Sequence, residues 1–230
     1  MSQLALDLLA ASPPTLANFV AGRNEECLHR LRELAAGAAS VRFVYLWGEA
    51  GSGRTHLLGA LAASGRLLGP SAPPQAYAFD EGCAIYAVDD VDALDDARQQ
   101  ALFNLFIRVQ GCPRAALVCS GSRPPLALAL REDLRSRLGA GLVFELRLLG
   151  DEDKARALRA LARERGVALA ADVLPWLLTH RARDIRRLLA EFDAIDRFAL
   201  ERKRPITLAL VREWLAQGRA AAGPEGPAGG

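Results

Sequence analysis

The stretch Gly48-Glu49-Ala50-Gly51-Ser52-Gly53-Arg54-Thr55 has the residue types and spacing of a phosphate-binding P-loop, with arginine where lysine usually stands. Glycines at such spacing let backbone N–H groups turn inward around a β-phosphate, and the N-terminus of a following helix adds partial positive charge. Thr55 would then supply a hydroxyl to Mg²⁺. Arg54 presents a planar fork that still contacts phosphate, but it is bulkier than an ammonium and sets no compact charge between the β- and γ-phosphates. Binding is therefore expected to survive better than hydrolysis. The chain's only lysines are Lys154 and Lys203, so Arg54 also belongs to a general arginine bias.

A second group of residues has chemistry that matches the first. Ala84-Ile85-Tyr86-Ala87-Val88-Asp89-Asp90 is an apolar run ending in two carboxylates, as a Walker B strand requires. Asp89 would reach Mg²⁺ through water and Asp90 would orient an attacking water. A strand ending in Asp-Asp is also a common turn entry; its place downstream of a P-loop favours the metal reading. Ser120 and Ser122 follow the next apolar run, and either one senses a γ-phosphate or starts the turn into Pro124-Pro125. Arg137, in Asp133-Leu134-Arg135-Ser136-Arg137-Leu138, either faces solvent or projects toward another subunit's nucleotide.

Positioning these groups needs strands that end at one edge. Val41 to Trp47 reads as a strand, Thr55 to Ala63 as a helix, Ala84 to Val88 as a strand, Asp95 to Val109 as a helix, and Ala115 to Cys119 and Leu142 to Leu146 as strands. Such alternation predicts an α/β unit, a parallel sheet with helices on both faces. Asn24 to Ala36 reads as a capped helix ahead of it. Gly65 to Pro74 reads as a connection and Gln75 to Phe79 as a short strand. From Asp151 the pattern is helical only: Asp151 to Arg165, Ala171 to His180, Ala182 to Glu201 and Thr207 to Gln217. The expected organisation is a flexible peptide at 1–14, an α/β nucleotide-binding domain at 15–150, a small helical domain at 151–217 and a disordered Ala/Gly/Pro tail at 218–230.

Composition excludes little beyond this. With 230 residues, 51% of them hydrophobic, the chain can bury one sizeable core plus a satellite. No apolar run reaches membrane-spanning length and no secretory signal is evident, which leads to an expected cytoplasmic location. Cys27, Cys83, Cys112 and Cys119 lack metal-ligand spacing. A net charge of +2 says little about partners; the Arg-rich stretches Arg181 to Arg187 and Arg197 to Arg204 suit either a solvated face or local phosphate.

Taken together these elements resemble the AAA+ ATPases and, among them, the initiator clade of DnaA, over about Pro13 to Leu215. Asn18-Phe19-Val20-Ala21-Gly22-Arg23 looks like that clade's adenine-pocket segment, Ser136-Arg137 like its arginine-finger element, and Asp184-Ile185-Arg186 like its second sensor. The fold implied is an AAA+ P-loop core with a parallel sheet, followed by a C-terminal helical lid. The segment Gly65 to Cys83 is too short for the full strand and helix of the initiator core. A DnaA-like module preceded by Gln3-Leu4-Ala5-Leu6-Asp7-Leu8, with arginine in its P-loop, resembles the Hda family.

That resemblance implies ADP or ATP with Mg²⁺ as cofactors, the metal being held through Thr55 and Asp89. Phe19, Val20, Gly22, Arg23, Gly48, Gly51, Ser52, Gly53, Arg54, Thr55, His56 and Arg186 would contact the nucleotide. It further implies a clamp-binding peptide in which Gln3, Leu4, Leu6 and Leu8 meet the sliding clamp, the DNA polymerase III beta subunit, in extended form. DnaA would be the second partner, with Arg137 acting in trans on its ATP. DNA would be reached through the clamp, placing the protein at the nucleoid, and nucleotide-dependent self-association would be available. The expected role is negative regulation of replication initiation, with weak intrinsic ATPase activity. A self-sufficient ATPase of the helicase-loader type and a nucleotide-independent adaptor are the rival readings.

Overall fold

The computed structural model describes residues 13–181 and 185–222, the stretch 218–222 by backbone alone. Gln3, Leu4, Leu6, Leu8, Asp184 and the tail from 223 onward lie outside the described residues. The chain divides into two units, one spanning Pro13–Leu148 and the other beginning again at Leu149.

The first unit is built on strands β1 (Phe43–Gly48), β2 (Arg66–Leu68), β3 (Ile85–Val88), β4 (Ala116–Gly121) and β5 (Leu142–Leu146), interleaved with helices α1 (Glu25–Ala35), α2 (Arg54–Ala62), α3 (Asp96–Gln110) and α4 (Glu132–Gly139). All strand pairs are parallel, in the order β2-β3-β4-β1-β5. β3 and β4 are buried at every position, as expected where helices cover both faces of a parallel sheet.

The period of two along each strand decides which helices cover which face. Val44 and Leu46, Ile85 and Ala87, and Ala116 and Val118 share one core with Leu28 and Leu31 of α1 and Leu57, Leu58 and Leu61 of α2. Tyr45, Tyr86, Val88, Leu117 and Cys119 point the other way, onto Leu102, Leu105, Phe106 and Val109 of α3 and Leu134 and Leu138 of α4. The registers Trp47↔Gly121, Gly48↔Leu146 and Val88↔Cys119 bring the carboxyl ends of β1, β3, β4 and β5 to one edge. Ligands of open α/β sheets bind at that edge.

Three local expectations are corrected. Gly65–Pro74 is more than a connection, since it contains β2, while residues expected as a strand from Gln75 form a 3₁₀ turn, Pro74–Tyr77. Pro74 presets the first turn and removes a ladder donor. Arg66 of β2 holds the turn by donating to the carbonyls of Ala76 and Ala78 at 3.3 and 3.2 Å, and buried Tyr77 donates its hydroxyl to the Gly69 carbonyl at 2.9 Å. The segment accommodates a strand but no α-helix. Asn24 does not cap α1 through its side chain. Its carboxamide instead pairs both ways with the backbone of Arg147, at 2.9 and 2.8 Å, tying the start of α1 to the exit of β5.

The second unit comprises α5 (Asp151–Glu164), α6 (Val173–His180), α7 (Ile185–Arg202) and α8 (Leu208–Ala222). Leu158, Leu174, Leu177, Leu188, Phe192, Ile195 and Leu210 fill its own core. A single parallel bridge joins Leu169 to Ile206. Arg181, after the last residue of α6, forms a two-pronged pair with Glu191 of α7 at 2.9 and 2.8 Å; Glu191 is 3% exposed. No helix among the described residues is long and apolar enough to cross a membrane.

Candidate nucleotide site

The loop between β1 and α2 owes its shape to its glycines. Gly51 and Gly53 have φ of +85° and +98°, a region that side chains resist. A Cβ at Gly48 would come within 2.4 Å of the Leu146 carbonyl oxygen and 3.0 Å of Ser52 Oγ. Gly53 is the N-cap of α2, so no side chain caps that helix, and its first turn has no acid. The first N–H groups of a helix have no partner within it, so this terminus presents uncompensated donors and the positive end of its dipole.

Two buried side-chain polar atoms lack a hydrogen-bond partner among the described residues, Ser52 Oγ and Arg54 Nη1. Both belong to the loop. Such atoms are rare in folded proteins because each costs about 1–3 kcal/mol. Thr55 is exposed beside them.

The acids enter from β3. Asp89 Oδ1 accepts from the Ser120 hydroxyl and, at 3.1 Å, from the backbone N–H of Asp90. Ser120 is fully buried on β4, opposite Leu46 of β1. Ser122 lies elsewhere, donating its hydroxyl to Asp92 Oδ2 at 2.5 Å. Of the two serines it is thus Ser120 that is wired to Asp89. Asp90 takes a left-handed backbone conformation, φ 48°, and its Oδ1 lies 3.5 Å from Arg54 Nη1. Burial and then the Asp89 charge push the Asp90 carboxyl above its ordinary range, with Arg54 acting in the opposite direction.

The segment preceding α1 closes over the loop. Thr15 and Asn18 lock a turn by reciprocal bonds of 2.9 and 3.0 Å. Phe19 then sits against Gly53, where a Cβ would come 2.6 Å from its ring, and lies 5.5 Å from the His56 ring centre. His56 Nε2 meets the Thr15 carbonyl at 3.0 Å. Val20 and Gly22 are half-buried in the following turn, Gly22 with φ 54°, and Arg23 is exposed. Phe19, His56, the loop and α2 are thereby one packed group.

Arg137 is half-buried on α4. Its guanidinium lies over the rings of Phe103 and Phe106 at 5.1 and 5.3 Å, and Nη1 donates to Gln110 Oε1 at 3.3 Å. Arg135 has no side-chain partner among the described residues. Arg186 stands in the first turn of α7, in the second unit. No cluster of potential metal-ligating side chains occurs among the described residues.

Comparisons with known proteins follow the same division. Residues 151–215 match the model of the family described as "Hda, lid domain". The fold as a whole matches domain III of the DnaA replication initiation protein from Thermotoga maritima, at 20% identity, covering 92% of this chain and 96% of that one, with a TM-score of 0.65. AMPPCP-bound DnaA from Aquifex aeolicus matches at 19% identity over 84% of this chain and 68% of its own, TM-score 0.63. Residues 151–215 thus match a Hda-type lid, and the chain shares its fold with DnaA domain III. Its α/β AAA+ fold is shared more widely: the RuvB Holliday junction branch migration motor of Thermotoga maritima matches at 17% identity, over 91% and 73% of the two chains, TM-score 0.64. The match to the Hda lid family lies within the second unit.

Proposed function

We propose that this Hda-like protein binds ADP or ATP with Mg²⁺ at the β1–α2 loop, attaches to a DNA-loaded sliding clamp through Gln3 to Leu8, and stimulates hydrolysis of ATP held by DnaA. The reading rests most heavily on a Hda-type lid match that follows a glycine loop in which two buried polar atoms, Ser52 Oγ and Arg54 Nη1, have no hydrogen-bond partner among the described residues. A phosphate chain suits that donor set: the uncapped α2 terminus, Ser52 and Arg54 attract anionic oxygen, while Thr55 and Asp89 are hard oxygen ligands of the kind Mg²⁺ takes. Phe19, Val20, Gly22, Arg23 and His56 would hold the base side of the nucleotide. Mg²⁺, when bound, neutralises phosphate charge.

This chain's own residues explain why its intrinsic turnover should be weak. Asp90 is engaged with Arg54 rather than left to orient water, and Arg54 offers no compact ammonium. The active residue toward DnaA is then Arg137. A trans-acting arginine is worth roughly 10³ to 10⁵ in rate in well-studied phosphoryl transfer. Its placement on Phe103 and Phe106 requires the side chain to swing off its own α3 to act.

The test is hydrolysis of DnaA-bound ATP on clamp-loaded DNA. The parent protein should stimulate it, Arg137→Ala should lose the stimulation while keeping ADP and clamp binding, and Arg135→Ala should matter much less. Triple replacement of Gln3, Leu6 and Leu8 by alanine should abolish clamp binding with little change in melting temperature. Turnover without DnaA or clamp would identify a self-sufficient ATPase. Stimulation that ignores nucleotide would identify an adaptor.

A further inference from the structure

We infer that Asp90 is a positioning residue that, by holding the guanidinium of Arg54, sets the preference of the site between nucleoside diphosphate and triphosphate. This rests on the nucleotide reading above. The pairing joins the P-loop to the end of β3: Arg54 Nη1 and Asp90 Oδ1 are 3.5 Å apart, and the Arg54 side chain is only 14% exposed. At that separation the carboxylate compensates charge without a hydrogen bond, which is why Nη1 remains an orphan although an acid lies beside it.

Three observations make the pairing directional. Asp90 adopts a left-handed backbone conformation, unusual for a residue other than glycine and tolerated by aspartate. Its N–H is fixed by Asp89 Oδ1 and Ser120 Oγ at 3.1 and 3.2 Å, so the turn that aims its side chain is anchored from two strands. The competing acids are held elsewhere, Asp89 by Ser120 and Asp92 by Ser122. Asp90 is therefore the carboxylate at ion-pair distance from Arg54.

The consequence is a matter of charge. A P-loop lysine leaves one uncompensated positive charge where the terminal phosphate of a triphosphate lies. Here the arginine's charge is already matched by Asp90. The α2 N-terminus and the loop amides, which serve the inner phosphates, are untouched by that match. The diphosphate loses little and the triphosphate loses an oppositely charged contact, the kind of interaction that is strongest when it is charge-assisted.

The experiment is calorimetric titration of the full chain with ADP and with ATPγS at fixed saturating Mg²⁺, for the parent, Asp90→Asn, Arg54→Ala and the double variant. Asp90→Asn keeps size and shape and should raise the affinity for ATPγS relative to ADP by about tenfold. In the Arg54→Ala background the same change should leave the ratio where it was. An unmoved ratio with ADP binding intact overturns the inference. An equal shift in the Arg54→Ala background also overturns it, because Asp90 would then act on the nucleotide directly. If the parent binds neither nucleotide, it is the nucleotide reading itself that fails.

Discussion

Buried charge is handled in opposite ways in the two units of this chain. In the lid, Glu191 receives both prongs of Arg181, and Asp196, 7% exposed, lies with Asp193 against Arg165. In the P-loop unit, Ser52 Oγ and Arg54 Nη1 are buried without hydrogen-bond partners among the described residues, and the nearest acid to Arg54 stands too far for a hydrogen bond. Both units pack apolar cores of the usual kind, so the difference is not one of folding quality. Closed pairs fix one element on another. An unsatisfied cluster beside an uncapped helix terminus has a structural cost that a bound anion would relieve.

Substitutions can break that contrast. The largest effect is expected from Gly53→Val, which puts a branched side chain at φ 98° and into the Phe19 ring. Nucleotide affinity measured by calorimetry should fall by about 100-fold or more, since the backbone can no longer approach phosphate. Retained affinity would show that the loop is not the cradle. Next comes Glu191→Ala, which strands the Arg181 charge and should lower the unfolding free energy of the lid by about 3 kcal/mol in denaturant titrations. Arg54→Ala should stay within about 1 kcal/mol of the parent, because its partner is half exposed and one orphaned atom is removed with it. Equal destabilisation by the two variants would make the Arg54–Asp90 contact structural and erase the distinction.

A smaller effect sharpens the same point from beneath the loop. Cys119 precedes Ser120 on β4 and is 1% exposed, and Cys27 is 3% exposed. Burial, with a smaller contribution from Glu26, pushes the Cys27 thiol up to about 12, and burial alone raises Cys119 as well. Thiolate is therefore scarce at both positions near neutral pH. Alkylation of the native protein should modify the half-buried Cys83 and Cys112 first, and Cys27 and Cys119 only on unfolding. Reaction of native Cys119 would mean that the orphaned atoms reflect a loose core rather than a built site.

The elements of the sheet were legible because alternation such as Val44-Tyr45-Leu46 and Ile85-Tyr86-Ala87-Val88 encodes a strand covered on both faces. The glycine spacing and the Asp-Asp ending marked the strand ends that meet at one edge. β2 escaped notice because its three residues sit among glycines and prolines and are recruited by pairing with β3. Asn24 has the residue type of a cap, yet two bonds to a strand end 123 residues away outcompete the local one. Between Ser120 and Ser122 no spacing rule decides; the β3–β4 register does, by setting Ser120 beside Asp89. The Arg54–Asp90 and Arg181–Glu191 pairs likewise join residues whose proximity exists only in the fold.

The central claim is that the orphaned atoms of the β1–α2 loop form a nucleotide site, and titration of the parent protein and of Arg54→Lys with ADP and ATPγS tests it most directly. The account predicts saturable binding of ADP by the parent and, with a compact ammonium in place of the paired fork, a shift of preference toward ATPγS. Absence of binding heat and of thermal stabilisation with either nucleotide would contradict it.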